Sequence, residues 1–131
     1  MSPRQLIETN FARVDPEATL GQLVKVVATA SRNIFPVVDH SGKFYGIVML
    51  DNIRQIMFDQ SLYEVTYVKD LLFMPDYAIN PHDTMDAVIQ LFQQSDRYNL
   101  PVLENGKYLG FISRAHVFSQ YRTMLKKFSD D

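Results

Sequence analysis

The sequence is written twice, and this repeat restricts the fold more than any other feature. When the chain of 131 residues is shifted by 65 positions, turn and strand-entry residues of the first half meet identical or similar residues of the second. The matches in the first half are Val14, Asp15, Pro16, Thr19, Arg32, Pro36 and Val37 and, at a shift of 64, Gly42, Lys43 and Gly46. Internal self-similarity of this kind indicates two copies of one structural unit. We place the copies at residues 1–61 and 62–131.

Each copy predicts a strand, a helix, two more strands and a final helix. Thr19 is a good N-cap with Gln22 placed to complete a capping box, and Thr84 begins the equivalent helix of the second copy. A short apolar strand follows each helix, and a Gly-containing turn then leads into another strand, so each pair predicts a hairpin. These strands span residues 35–38, 44–48, 100–103 and 108–112. The fold class is therefore α/β (α+β), with two β-α-β-β-α repeats.

The final helix carries one apolar stripe whose partner the sequence does not identify. The stripe consists of Val117, Phe118, Tyr121, Met124, Leu125 and Phe128. We expect it to pack on the body of the protein or on a second copy of the chain. A membrane-bound helix is disfavoured because basic side chains share the polar face with Asp130. The segment 62–74 between the copies is too apolar for a flexible linker, so we expect it to pack on the body as well.

Composition excludes several classes of function. The chain has no cysteine, which rules out disulfides, zinc–thiolate sites and a thiol nucleophile. It carries 13 basic and 15 acidic side chains without a basic cluster, which argues against nucleic-acid binding. No apolar run is long enough to cross a bilayer, and the first residues do not read as a signal peptide. The sequence therefore predicts a soluble, intracellular domain.

Neither catalysis nor metal binding is supported by the residue pattern. His40, His82 and His116 are far apart in sequence and form no ligand pair at helical spacing. Gly42 and Gly46 belong to a hairpin and a strand, so they do not form a phosphate-binding loop before a helix. We expect no catalytic residues, no metal site and no enzymatic activity.

The repeated strand–turn–strand pattern is similar to a known family signature. The segment Pro36–Val48 reads Pro-Val-Val-Asp-x-x-Gly-x-x-x-Gly-Ile-Val, and Pro101–Ile112 repeats it with Pro-Val-Leu-Glu. Both resemble the signature of cystathionine-β-synthase (CBS) domains, and the tandem pair resembles a Bateman module over nearly the whole chain. The resemblance implies two repeats about a pseudo-twofold axis, assembly as a homodimer and no enzymatic activity.

A narrower resemblance is to the cytoplasmic C-terminal regulatory domain of CLC-type chloride channels and transporters. It rests on residues 23–27, 32–38, 53–58 and 113–118. It implies that a transmembrane chloride transport domain, N-terminal to this chain in the full-length protein, is the partner. It also implies a location at the cytoplasmic face of the membrane.

CBS pairs often bind adenosine-containing ligands in the clefts between their repeats. The resemblance therefore implies ATP, ADP or AMP as a ligand, with no cofactor required. In the family motif Gly-h-h-Ser/Thr-x-x-Asp, the Asp holds the ribose and the Ser/Thr helps to hold the phosphate end. The first copy has Met49 and Asn52 at these positions, and the second has Ser113 and His116. A neutral acceptor in place of the carboxylate would weaken affinity about five- to thirtyfold.

The family's ligand-binding positions transfer to a defined set of residues. In the second copy these are the adenine-contacting backbone, an apolar wall, the helix start and the ribose position: Tyr77, Ala78, Ile79, Leu100, Pro101, Ser113, Arg114 and His116. In the first copy the equivalents are Val14, Pro36 and Asn52, with Arg13, Phe35 and Met49 beside them. The second copy is the better candidate because helix-start amides next to Ser113 can meet a phosphate.

Each of the polar candidates also has a purely structural interpretation. Ser113 is well placed as an N-cap, His116 as a surface or interface residue, and Arg114 as a solvated side chain. Two functions stay open: a nucleotide-sensing regulatory domain, and a ligand-free dimerisation or scaffold module of a membrane transporter. Asn52 and His116 favour the scaffold, whereas Ser113 and Arg114 favour the sensor.

Overall fold

The computed structural model describes residues 2–129 and shows a mixed α/β architecture with two strand pairs. Its helices and strands are α1 (Leu20–Thr29), β1 (Ile34–Val38), β2 (Phe44–Met49), α2 (Leu50–Ile53), α3 (Met85–Ser95), β3 (Asn99–Glu104), β4 (Lys107–Ser113) and α4 (Arg114–Ser129). Short 3₁₀ helices lie at Pro3–Leu6, Gln60–Leu62 and Val68–Asp70. The two repeats and the hairpins of the sequence prediction are confirmed. The first strand predicted in each copy is wrong, because the structure has only a single parallel bridge there, Val14–Val37 and Ile79–Val102. No helix within residues 2–129 is long and apolar enough to cross a membrane.

The first compact unit, here the N-terminal unit, comprises residues 10–75 and 106–108. Strand β1 pairs antiparallel with β2. The predicted capping box begins α1: Thr19 Oγ1 accepts from the Gln22 amide at 3.2 Å, and Gln22 Oε1 accepts from the Thr19 amide at 2.9 Å. The core of the unit consists of Val14, Leu20, Leu23, Phe35, Val37, Val48, Ile53 and Val68.

The C-terminal unit comprises residues 2–9, 76–105 and 109–129 of the described chain. Thr84 caps α3 as predicted, with its Oγ1 accepting from the Ala87 amide at 3.1 Å. The turn between β3 and β4 places Asn105 at φ 54° and Gly106 at φ 77°, the conformation that an Asn-Gly hairpin favours. The core of the unit consists of Leu6, Ile79, Val88, Ile89, Phe92, Leu100, Val102, Ile112 and Val117.

Both copies keep a proline inside a strand without losing a sheet hydrogen bond. In the N-terminal unit, the Val14 amide donates to the Pro36 carbonyl at 3.0 Å and the Val38 amide donates to the Val14 carbonyl at 2.9 Å. Ile79 bonds to the Pro101 carbonyl in the same way, at 2.8 Å. Each proline therefore contributes only its carbonyl to this parallel bridge, and its missing N–H carries no penalty there.

A segment distant in sequence completes each strand pair. Phe73 pairs with Ile47 in the N-terminal unit through two backbone hydrogen bonds of 2.8 and 3.0 Å. Glu8 pairs with Phe111 in the C-terminal unit through bonds of 2.7 and 3.0 Å. Glu8 and Phe73 are related by the same shift of 65 residues as the rest of the repeat. The predicted packing of segment 62–74 on the body is thus confirmed for the N-terminal unit, where Val68 is fully buried.

The close approach of these segments explains a glycine at the same place in both copies. Gly46 and Gly110 both adopt φ 149°. A Cβ at Gly46 would lie 2.5 Å from the Phe73 carbonyl oxygen, and one at Gly110 would lie 2.6 Å from that of Glu8. No side chain fits at either position without moving the crossing backbone.

The first copy departs from the prediction in its last helix. Helix α2 has four residues, whereas α4 has 16. Met49 gives α2 no side-chain cap, but Ser113 Oγ accepts from the His116 amide at 3.1 Å and caps α4. Beyond Ile53 the chain continues in turns, and the Tyr63 hydroxyl donates to the Met57 carbonyl. A full second helix in the first copy is therefore a wrong expectation, since its start lacks a cap and its continuation is bound to another segment.

The end of α4 does not show the packing on the body of the protein that was one of the two expectations for its apolar stripe. Val117 is buried in the core, but Leu125 is 52% exposed and Phe128 is 79% exposed. Leu125 and Phe128 therefore do not pack on the body, which leaves a partner outside the chain as the remaining expectation for them.

Candidate functional site

The start of α4 is fixed by the strands on which it rests. The Arg114 amide donates to the Tyr98 carbonyl at 2.8 Å, which holds the end of β4 beside the start of β3. Ser113 is half-buried at this junction and caps the helix through its Oγ. Amides at the start of a 16-residue helix, with the positive end of its dipole, form an environment that favours an anion.

Arg114 points into the fold instead of toward a ligand. Its Nε donates to the Arg97 carbonyl at 3.0 Å, and its guanidinium also donates to the carbonyl of Phe92. The guanidinium carbon lies 5.7 Å from the centroid of the Phe92 ring. Helix α3 ends here, with Asp96 in the left-handed conformation at φ 55°. Arg114 therefore satisfies carbonyls at the C-terminal end of α3, where a cation is favourable.

Asn99 begins β3 at the same junction. Its Oδ1 is buried and has no hydrogen-bond partner within residues 2–129, although the residue as a whole is half-exposed. An unpaired buried amide oxygen costs about 1–3 kcal/mol. A rotation of the amide that turned Oδ1 outward would let it accept from a hydroxyl or amino group of a bound molecule.

The apolar candidates of the second copy are all buried. Ile79 and Leu100 belong to the core of the C-terminal unit, and Pro101 is buried as well. The Ile79 amide donates to the Pro101 carbonyl, and its own carbonyl accepts from Leu103 at 2.8 Å. Its N–H is therefore not available to adenine. Two predicted contact residues precede this bridge, half-buried Tyr77 and exposed Ala78.

The corresponding residues of the N-terminal unit are arranged less favourably. Val14 and Pro36 are buried and bound to each other through the parallel bridge. Asn52 is exposed, but it lies in the single turn of α2, and Met49 offers no hydroxyl at the helix start. The structure thus groups Ser113, His116 and Asn99 around a helix start in one unit and provides no equivalent of Ser113 in the other.

The pKa values of Asp39, Tyr45 and Tyr108 are shifted, and none of these residues belongs to the candidate set. The hydrogen bond from the Ser41 hydroxyl, with smaller contributions from Tyr45 and the Lys43 amide, holds the pKa of Asp39 well below its usual range. Burial raises the pKa of Tyr108 to about 12, against a smaller opposing effect of Arg13. Asp39 accepts hydrogen bonds within its own turn, and Tyr108 lies near the start of β4. Within residues 2–129, no group of three or more His, Cys, Asp or Glu side chains could hold a metal ion.

Sequence reasoning missed Asn99 and the structural use of Arg114. Asn99 replaces Ile34 of the first copy, so a polar residue at an apolar repeat position was a usable signal. Arg114 replaces Leu50, and its partners depend on where α3 ends, which no local pattern revealed.

Two strand pairs, each followed by a helix and preceded by a parallel bridge, define a tandem repeat module. Comparison with protein-family models identifies it: the CBS domain model matches residues 4–59 and 68–122. The chain belongs to the CBS domain family and is a tandem CBS pair. No curated protein matches the sequence.

Solved structures with this fold are numerous, and three illustrate their range. CbpB in complex with c-di-AMP aligns with a TM-score of 0.81 at 17% identity, covering 99% of this chain and 90% of CbpB. A CBS domain pair/ACT domain protein from Thermotoga maritima aligns with a TM-score of 0.74 at 21% identity, covering 95% of this chain and 99% of that protein. The CBS domain of a bacterial CNNM/CorC family Mg²⁺ transporter in complex with ATP aligns with a TM-score of 0.75 at 15% identity, covering 91% of this chain and 85% of that domain. At these identities the likeness is one of fold.

Proposed function

We propose that this CBS pair is the cytoplasmic regulatory domain of a CLC-type chloride channel or transporter and that its C-terminal unit binds an adenine nucleotide. The ligand proposal is carried by one observation: the family's phosphate position is a Ser-capped start of a 16-residue helix in the second copy only. The module binds and transmits, and it catalyses nothing.

The chemistry of a nucleotide suits this corner of the C-terminal unit. Phosphate oxygens accept from the Ser113 hydroxyl, and the positive end of the α4 dipole attracts their charge. Ribose hydroxyls and the adenine amino group supply donors for Asn99 Oδ1 and for a ring nitrogen of His116. Two of the similar structures carry adenine-containing ligands, c-di-AMP and ATP, which supports the choice of ligand class.

The proposal of a transport domain as partner is supported by sequence resemblance and by the kinds of protein that share the fold. The segments 23–27, 32–38, 53–58 and 113–118 resemble the tail of CLC-type proteins. One of the similar structures is a CBS domain of a Mg²⁺ transporter, so membrane transporters carry this module. The cytoplasmic face of the membrane and a homodimeric assembly follow from the same proposal.

Calorimetric titration of the full chain with ATP, ADP and AMP tests the ligand proposal. Ser113→Asp is the sharpest variant because aspartate is a good N-cap but repels a phosphate at the helix start. We expect the variant to keep its thermal stability and to lose nucleotide binding. Met49→Asp, at the equivalent position of the N-terminal unit, is the matched control and should bind as the original chain does.

Absence of binding at millimolar nucleotide, or equal binding by Ser113→Asp, would contradict the ligand proposal. The transport proposal has its own measurement: chloride flux through vesicles that contain the full-length parent protein, with and without nucleotide. A parent protein without a chloride transport domain would contradict it whatever the titration shows.

A ligand-free dimerisation or scaffold module is the second candidate function. It is favoured by the use of the Arg114 guanidinium within the fold and by the full burial of Ile79 and Leu100. In that case the titration gives no heat for any nucleotide, while light scattering still reports a dimer.

A further inference from the structure

The end of α4 presents an apolar stripe that the described chain does not cover. Tyr121, Leu125 and Phe128 are 37%, 52% and 79% exposed. Their spacing of four and three residues places them along one side of the helix. Arg122 and Lys127 lie on either side of the stripe, and α4 contains no acidic residue between 114 and 129. The surface is therefore apolar at its centre and basic at its edges.

The N-terminal unit presents a surface of the opposite charge. Phe58 is 80% exposed and Val65 is 69% exposed, in a compact segment whose two ends are held together by the Tyr63–Met57 hydrogen bond. Asp59 and Glu64 are exposed beside these apolar residues. Residues 55–66 contain no basic side chain. This surface is apolar at its centre and acidic at its edges.

We propose that α4 of one copy of the chain docks on segment 57–65 of a second copy. The contact is made twice about a two-fold axis. In each chain the stripe of Tyr121, Leu125 and Phe128 meets Phe58 and Val65 of the other chain, while Arg122 and Lys127 face Asp59 and Glu64. The inference deepens the homodimer of the proposed function and does not depend on nucleotide binding. An amphipathic helix that meets an apolar surface with complementary edge charges is a recurrent mode of protein recognition.

Charge complementarity decides between a second copy and other occupants. A second stripe of the same kind would bring Arg122 and Lys127 against their own equivalents, which like-charge repulsion disfavours. An anionic membrane surface would also attract these basic residues, but it would leave the exposed Phe58 and Val65 without a partner. The second copy accounts for both exposed surfaces at once.

Cross-linking of the full chain tests the geometry directly, because the protein has no cysteine of its own. Ser129→Cys places one thiol beside the stripe, and Gln60→Cys places one beside Phe58. When the two variants are mixed and treated with a short bis-maleimide, we expect the Ser129→Cys chain to be linked to the Gln60→Cys chain. Each variant alone should give little linked dimer.

Lys25→Cys on the exposed side of α1 is the matched control and should not be linked to Gln60→Cys. Efficient linking of Ser129→Cys to itself would overturn the inference while leaving the homodimer intact. A chain that sedimentation shows to be monomeric up to its solubility limit would overturn both. Binding of that monomer to phosphatidylglycerol vesicles would assign α4 to a membrane instead.

Substitutions that leave the cross-linking sites untouched provide an independent readout. Phe128→Ser should weaken self-association at least tenfold in sedimentation equilibrium, because it removes a large apolar contact. Lys127→Glu should weaken it about threefold, and Glu64→Lys in the same chain should restore it. Lys25→Glu is the charge-matched control. Failure of Glu64→Lys to restore association would overturn the pairing of these two surfaces.

Discussion

At the scale of single residues, Gly46 and Gly110 each lie where a segment distant in sequence crosses the strand, and an added Cβ would collide with that segment. A methyl group at either residue would have to displace the carbonyl of Phe73 or of Glu8, and both glycines hold φ 149°. We expect Gly46→Ala and Gly110→Ala each to lower the free energy of unfolding by about 2–3 kcal/mol, through overpacking and backbone strain. Gly106→Ala, where nothing lies within 4 Å, should cost only about 1 kcal/mol. Urea denaturation checks all three; equal losses would contradict the steric account.

Tyr108 makes stability depend on pH at the alkaline end. Burial raises the pKa of its phenol to about 12, above the value of about 10 for an exposed tyrosine. The contribution of the neutral phenol is therefore complete below about pH 10 and is lost as the pH rises toward 12. We expect Tyr108→Phe to reduce the decline in stability over this range, whereas Tyr98→Phe at an exposed position should not. Urea denaturation at several alkaline pH values checks this. If the free energy of unfolding falls with pH at the same rate in both variants, the prediction is contradicted.

At the scale of elements, Arg114 joins the end of α3 to the start of α4. Arg114→Met keeps the apolar part of the side chain but leaves the carbonyls of Arg97 and Phe92 without their charged donor. We expect a loss of about 2 kcal/mol in the free energy of unfolding. Lys25→Met, at an exposed position of α1, should change it by less than about 0.5 kcal/mol. A similar loss in both variants would mean that Arg114 acts only through its general charge.

Features that depend on neighbouring residues could be predicted from the sequence. Features that depend on residues distant in sequence could not. The caps at Thr19 and Thr84 and the Asn105–Gly106 turn are set by residues within three or four positions, so the sequence reveals them. The pairing of Glu8 with Phe111 spans most of the chain, and the use of Arg114 depends on the end of α3. The short α2 reflects both kinds of cause: the missing cap at Met49 is local, but the hydrogen bond from Tyr63 is not.

At the scale of the whole molecule, the two copies share one architecture but differ at the candidate site. The second copy has a long, capped helix at the phosphate position, and the first has a single turn without a cap. A ligand recognised by helix-start amides therefore has one strong position for each chain. The extent of any regulatory effect equals the ligand's difference in affinity between two states of the protein, so weak binding gives a weak switch.

The shift in Tm on thermal unfolding with nucleotide tests whether the ligand binds at the start of α4. A ligand that binds only the folded chain, at ten times its Kd, stabilises it by about 1.4 kcal/mol. For a domain of this size we expect Tm to rise by about 5 °C. The rise should level off with one nucleotide bound for each chain, and it should vanish in Ser113→Asp but persist in Met49→Asp. A rise that survives Ser113→Asp would move the ligand away from the start of α4, because a carboxylate there repels phosphate whichever nucleotide is used.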